Sequence, residues 1–158
     1  MKFIICGKEE AAAYVPRAPT LAIRIFGSES SGMGKRCYKP LQHGYVRVLE
    51  YAFDDVDLHE GQTLEEWAQG AGADPTKLVP FDEGMAAKIL DDFAQCRGSF
   101  EDVLVHCYAG MSRSPAVAIA LDVIYNLKAD FNRNEFPRIN WHVCKIMARA
   151  AEKKGLLP

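Results

Sequence analysis

The stretch His106-Cys107-Tyr108-Ala109-Gly110-Met111-Ser112-Arg113-Ser114 sets a cysteine and an arginine six positions apart, with mostly small residues between them. A free thiol is largely protonated at neutral pH; backbone N–H groups, a helix N-terminus and a nearby guanidinium favour the nucleophilic thiolate. The planar fork of an arginine that curls back on the same anion grips two phosphate oxygens at once, which lysine does not do. Ser114 is placed to donate a hydroxyl hydrogen bond to the sulfur. Gly110 allows positive φ or close backbone approach where the loop turns. The segment reads as a phosphate-binding nucleophile loop. Cys107 attacks, Arg113 binds, and Tyr108, Ala109, Gly110, Met111, Ser112 and Ser114 surround the anion. A buried structural cysteine before an ordinary helix is the bland alternative, and the spacing argues against it.

The flanking residues fit that reading. Val103-Leu104-Val105 is a short continuous apolar run, the mark of a strand buried on both faces. Ser114 and Pro115 open a helical stretch that runs to Leu127, with Pro115 in the first turn, where a missing N–H costs nothing. The loop therefore ends on a helix N-terminus, whose N–H groups and dipole favour an anion. Two other motifs fail. Gly110-Met111-Ser112-Arg113-Ser114 lacks the second glycine of a hydrolase nucleophile elbow. Gly34-Lys35 is followed by Arg36, and position 29 is Glu, so no nucleotide P-loop is present.

His106, Cys107, Arg113 and Ser114 match the signature of the cysteine-dependent protein tyrosine phosphatases: His-Cys, five residues, Arg, then Ser or Thr. The Ala109 to Ser114 portion resembles the compact dual-specificity branch and its small bacterial and phage relatives. The resemblance is specific over residues 102–125 and weaker over Val48 to Asp57. It implies that phosphatase fold, a phosphocysteine intermediate, an aspartate that protonates the leaving alcohol, and no metal.

Expulsion of an alkoxide or phenoxide needs a proton donor. The acidic cluster Asp54, Asp55 and Asp57 supplies candidates. In the compact phosphatases the acid follows an apolar strand patterned like Leu49-Glu50-Tyr51-Ala52-Phe53-Asp54-Asp55, which assigns the role to Asp55, with Asp54 second and Asp57 third. Asp55 precedes Cys107 by more residues than is usual in those relatives. The excess falls in the glycine- and proline-punctuated segment 58–80, and if that segment carries the acid, Asp74 becomes a candidate.

The chain has 158 residues, 49% hydrophobic and 25% charged, which suits one domain spanning 1–158. A formal net charge of −2 gives no strong nucleic-acid or membrane signal. Cys6, Cys37, Cys96, Cys107 and Cys144 are odd in number and form no CxxC pair, which points to a reducing compartment. The apolar run Phe3 to Cys6 is too short for a signal-peptide core or a membrane span, so a cytoplasmic protein is expected. No histidine pair has metal-ligand spacing, and neither metal nor cofactor is expected.

Strands are expected at Lys2 to Cys6, Leu21 to Phe26, Gly44 to Phe53 and Asp102 to His106. Helices are expected at Glu9 to Val15, after the capping-box pair Thr63 and Glu66, at Asp82 to Phe93, after the nucleophile loop, and at Trp141 to Glu152. Residues 27–35 read as a mobile glycine-rich loop. Val46, Val48 and Tyr51 are available to the core, and Trp141, Cys144, Ala148 and Ala151 form the packed side of the last helix. The alternation predicts an α/β fold with a mostly parallel sheet of four to five strands flanked by helices, its ligand beyond the strands' carboxyl ends.

Two functions of different class compete: a phosphomonoester hydrolase acting on a phosphorylated substrate, foremost a phosphoprotein, and a weak or inactive phosphate-binding module that recognises a phosphorylated partner. A rhodanese-like sulfur transferase also uses a loop cysteine, but Arg113 suits phosphate better. Phosphotyrosine, phosphoserine or phosphothreonine, an RNA 5′-phosphate and an inositol phosphate present the same dianion. Tyr108, Met111, Arg36 and segment 58–80 are the candidate walls that would choose among them.

Overall fold

A computed structural model covers residues 1–158. The chain runs β1 (Lys2–Cys6), α1 (Lys8–Ala13), β2 (Thr20–Phe26), β3 (Tyr45–Ala52), α2 (Leu64–Ala71), α3 (Glu83–Cys96), β4 (Asp102–His106), α4 (Arg113–Tyr125) and α5 (Trp141–Lys153), with short 3-10 turns at Lys35–Cys37, Pro75–Lys77 and Arg133–Glu135. All strand pairs are parallel, in the order β1-β4-β2-β3. The expected α/β class and parallel sheet are present, with four strands.

Position in the sheet explains the strand sequences. β4 lies between β1 and β2, and its Val103, Leu104 and Val105 are fully buried; every residue of β2 is buried as well. β3 is an edge strand and alternates: Leu49 and Tyr51 face the core, whereas Val46 and Val48 are 45% and 43% exposed. The expectation that Val46 and Val48 join the core is thus corrected. Helices cover only one face of this edge strand, and Val46 and Val48 lie on the other.

That covered face packs against α3, α4 and α5 to form the main core, with Leu21, Ile23, Ile25, Val103 and Val105 against Ile89, Phe93, Val117, Leu121 and Met147. The opposite face carries only α1 and the segment around Leu41, over a small cluster of Cys6, Ala11 and Leu104. In α4, Ala116, Val117, Ala118, Leu121 and Ile124 are buried on several sides, and Asn126 ends the helix at φ 51°. The helix stops short of Leu127. In α5 the packed stripe is Val143, Ile146, Met147, Ala150 and Ala151; of the expected packed side, Ala151 is buried and Cys144 packs against the core, whereas Trp141, at 61% exposed, is corrected to the solvent face. No helix is long and apolar enough to cross a membrane.

The excursion between β3 and α3 begins with the expected capping box. Thr63 Oγ1 accepts from Glu66 N at 3.1 Å and Glu66 Oε1 accepts from Thr63 N at 3.2 Å, which sets the start of α2.

Candidate active site

Strand register decides which residues meet. Cys6 and Arg24 both pair with His106, so β1, β4 and β2 end level and their following loops leave the sheet side by side. Cys107 is the first residue past β4 and is 2% exposed. Its Sγ accepts from Gly110 N at 3.3 Å and lies 3.2 Å from Ser114 Oγ, the hydroxyl expected to face it. The backbone N–H groups of Tyr108, Ala109, Met111, Ser112, Arg113 and Ser114 donate to no acceptor in the protein. They are the free donors of a loop that runs into a helix N-terminus, the arrangement that receives an anion.

Gly110 carries φ +77°, and a Cβ there would sit 2.4 Å from the Cys6 carbonyl carbon and 2.5 Å from Gly7 N. From the other side, a Cβ on Gly7 would meet the Tyr108 and Ala109 backbone at 3.1 Å. Lys8 N closes the contact by donating to Tyr108 O at 3.0 Å. The β1–α1 turn is therefore a backbone wall for the loop after β4; a side chain at Gly110 would run into it, and one at Gly7 would press on the loop from the other side.

Arg113 is 7% exposed. Its Nη1 donates to Phe53 O at 2.8 Å, while its buried Nε has no partner. A pocket of about 330 Å³ opens over these groups, lined by Cys107, Arg113, Ser112, Asp54 and Asp55. Tyr108, Ala109 and Met111 also border it, with Met33 and Tyr108 among the exposed apolar residues of its rim. Arg36 and segment 58–80 do not border it. Arg36 lies instead in a separate groove of about 500 Å³ with Arg24, Lys35 and Tyr38.

The four candidate aspartates part company. Asp55 Oδ1 accepts from Ser112 Oγ at 2.7 Å and Asn140 Nδ2 at 2.8 Å, which holds it on the pocket wall. Asp54 is 6% exposed and accepts from Ser28 N, Ser28 Oγ, Ser31 Oγ and Val79 N. Burial pushes its carboxyl up, but those hydrogen bonds from Ser28, Val79 and Ser31 outweigh it and hold Asp54 below the usual carboxylate range. Asp54 is thus a knot that ties loop 27–31 to the end of the excursion. The same bonds pin the loop expected to be mobile. Asp57 accepts from His142 N at 2.9 Å in the first turn of α5. Asp74 caps the Pro75 turn through Thr76, whose hydrogen bonds lower its carboxyl, and it does not line the pocket.

Four contributors have no local sequence signal. Asn140, fully buried, joins three segments: its N donates to Ser112 O at 3.1 Å, its Nδ2 to Asp55 and to Val56 O at 3.2 Å, and its Oδ1 accepts from Val143 N at 3.0 Å. Only the last bond, an N-cap, has a trace in sequence. Arg138 places a second cation on the pocket wall. Gly7 backs the loop. Arg24 donates from Nε to His106 Nε2 at 3.0 Å. No group of three His, Cys, Asp or Glu is placed to hold a metal ion. Compared with protein-family models, with curated proteins and with solved structures, the chain matches none.

Proposed function

We propose that this chain is a phosphomonoester hydrolase of the cysteine-dependent protein tyrosine phosphatase type, with the compact dual-specificity form of that fold, acting on a phosphorylated substrate, foremost a phosphoprotein. One observation carries the reading: a buried thiol stands at the bottom of a pocket ringed by backbone N–H groups that lack acceptors, beside an arginine Nε that also lacks one. The buried Arg113 Nε left open in this way is costly unless a ligand meets it, and the loop N–H groups, which face the pocket, stand ready for the same ligand. A tetrahedral dianion meets them all.

In the first step Cys107 Sγ attacks phosphorus, the P–O bond to the alcohol breaks, and Asp55 gives its proton to the leaving oxygen. In the second, Asp55 takes a proton from water, whose oxygen attacks phosphorus; the P–S bond breaks, phosphate leaves and the thiolate returns. Ser114 Oγ donates to the sulfur and stabilises it as leaving group. The loop N–H groups and Arg113 hold the equatorial oxygens throughout. The small residues of the loop let the backbone close round the phosphoryl group.

Turnover of p-nitrophenyl phosphate by the wild type and by Cys107→Ser, Arg113→Lys and Asp55→Ala tests this. Loss of turnover in Cys107→Ser and Arg113→Lys supports it. Wild-type turnover retained by Cys107→Ser, or saturable phosphopeptide binding by a wild type that releases no phosphate, overturns it.

A further inference from the structure

Arg24 and His106 are register partners on neighbouring parallel strands and lie on the same face of the sheet, on the side away from the main core. Arg24 is 6% exposed and His106 fully buried. Arg24 Nε donates to His106 Nε2 at 3.0 Å, its Nη2 donates to Lys39 O at 2.7 Å, and its Nη1 stands 3.7 Å from Glu50 Oε2. The guanidinium is thus fixed on three sides, with its central carbon 5.0 Å from the Phe26 ring centroid. A guanidinium only donates, so Nε2 must be the bare nitrogen of a neutral ring, and the proton sits on Nδ1. Nδ1 lies 3.2 Å from Cys107 O.

A trans peptide is planar, with its carbonyl and the following N–H pointing in opposite directions. Holding Cys107 O from the sheet side therefore turns the Tyr108 N–H the other way, toward the phosphate cradle, where it has no protein acceptor.

We infer that Arg24 is a positioning residue for the nucleophile loop: it selects the Nδ1–H form of His106, and that form fixes the peptide joining Cys107 to Tyr108. The effect on turnover rests on the phosphatase reading; the effect on the ring and on oxyanion binding does not. The other ionisable groups facing His106 are Cys6, its register partner on β1, Cys107, and Tyr38, whose ring centroid is 5.9 Å away. None of these donates to Nε2, so Arg24 is the donor that fixes the bare nitrogen, and the Cys107 carbonyl, which only accepts, favours the same tautomer from the Nδ1 side.

The test begins with the wild type, in which ¹⁵N-detected NMR of the imidazole reads the tautomer directly. A proton on Nδ1 is expected; a proton on Nε2 overturns the inference without any variant. Arg24→Met, or Arg24→Lys should the first not fold, is expected to shift the tautomer and weaken tungstate binding about tenfold or more. In a His106→Asn background, whose amide donates to Cys107 O whatever Arg24 does, Arg24→Met is expected to weaken tungstate binding less than about twofold further. Equal losses in both backgrounds would mark a merely structural role and overturn the proposal. A wild type with the expected tautomer and no phosphatase activity would sink the enzyme reading while leaving this one standing.

Discussion

Asn140 Nδ2 stands 2.8 Å from Asp55 Oδ1, and the same side chain caps α5 while its backbone N–H holds Ser112 O. One buried amide therefore sets the distance between the proposed proton donor and the nucleophile loop. Asn140→Ala is expected to cost about 1–3 kcal/mol of stability through the cap and the unsatisfied groups it leaves. It should also lower kcat by about tenfold or more as Asp55 loses its fixed place. Urea melts and p-nitrophenyl phosphate kinetics check the two parts; a loss of stability with kcat unchanged would remove Asn140 from the positioning of Asp55.

Replacing Asp55 by Asn tests the acid role through the leaving group. A positioned general acid contributes about 10²–10⁴-fold to rate, and most where the departing oxygen is most basic. The loss in kcat should therefore be much larger with phenyl phosphate than with p-nitrophenyl phosphate. Equal losses on the two esters would assign proton donation elsewhere.

Gly110→Ala is expected to abolish tungstate binding and turnover together, because the new methyl would enter the Cys6–Gly7 backbone and the φ of +77° would be strained. Gly7→Ala should do the same more weakly, since its contacts at 3.1 Å leave slightly more room. Calorimetric titration with tungstate reads both. Unchanged affinity in Gly110→Ala would contradict the backbone wall.

Burial lowers His106 to about 4 against the rise from its bond to Cys107 O, and the Arg24 charge adds to the lowering. The unfolded ring titrates near pH 6.5 and takes up a proton that the folded ring refuses. The contribution is therefore fully present above about pH 6.5 and lost as pH falls to about 4, a change on the order of 3 kcal/mol. Asp54 acts at lower pH: its lowered carboxyl contributes stability above the usual aspartate range that is lost as pH falls through its folded value. Chemical denaturation from pH 7.5 to 4 should show a steep fall that is flattened in His106→Asn. An identical slope in that variant would refute the assignment.

How far the site could be read from sequence follows from the range of the interactions. The nucleophile loop, β4 and the start of α4 are legible because an apolar run, a small-residue turn and a first-turn proline are consecutive. The capping box of α2 is legible for the same reason. Asn140 and Arg24 are not, because their partners at the site lie 85 and 82 positions away, and the one local mark, Asn140 as a helix cap, says nothing of Asp55. Val46 and Val48 read as core because β propensity does not distinguish an edge strand from an inner one. The packed side of α5 is not legible at Trp141, whose size suggests burial although it sits where α5 faces solvent. Asp54 and Asp55 are adjacent in sequence, yet Ser28, Ser31 and Val79 hold the one while Ser112 and Asn140 hold the other, partners that nothing local marks.

The central claim, that Cys107 takes up the phosphoryl group, is tested most directly by rapid quench during turnover of a phosphomonoester, followed by mass spectrometry of the peptide that holds Cys107. A phosphoryl adduct on Cys107 that forms and decays at the rate of turnover in the wild type, and persists in Asp55→Asn, is the expected result. Phosphate release with no adduct, or with the adduct on another residue, would contradict it.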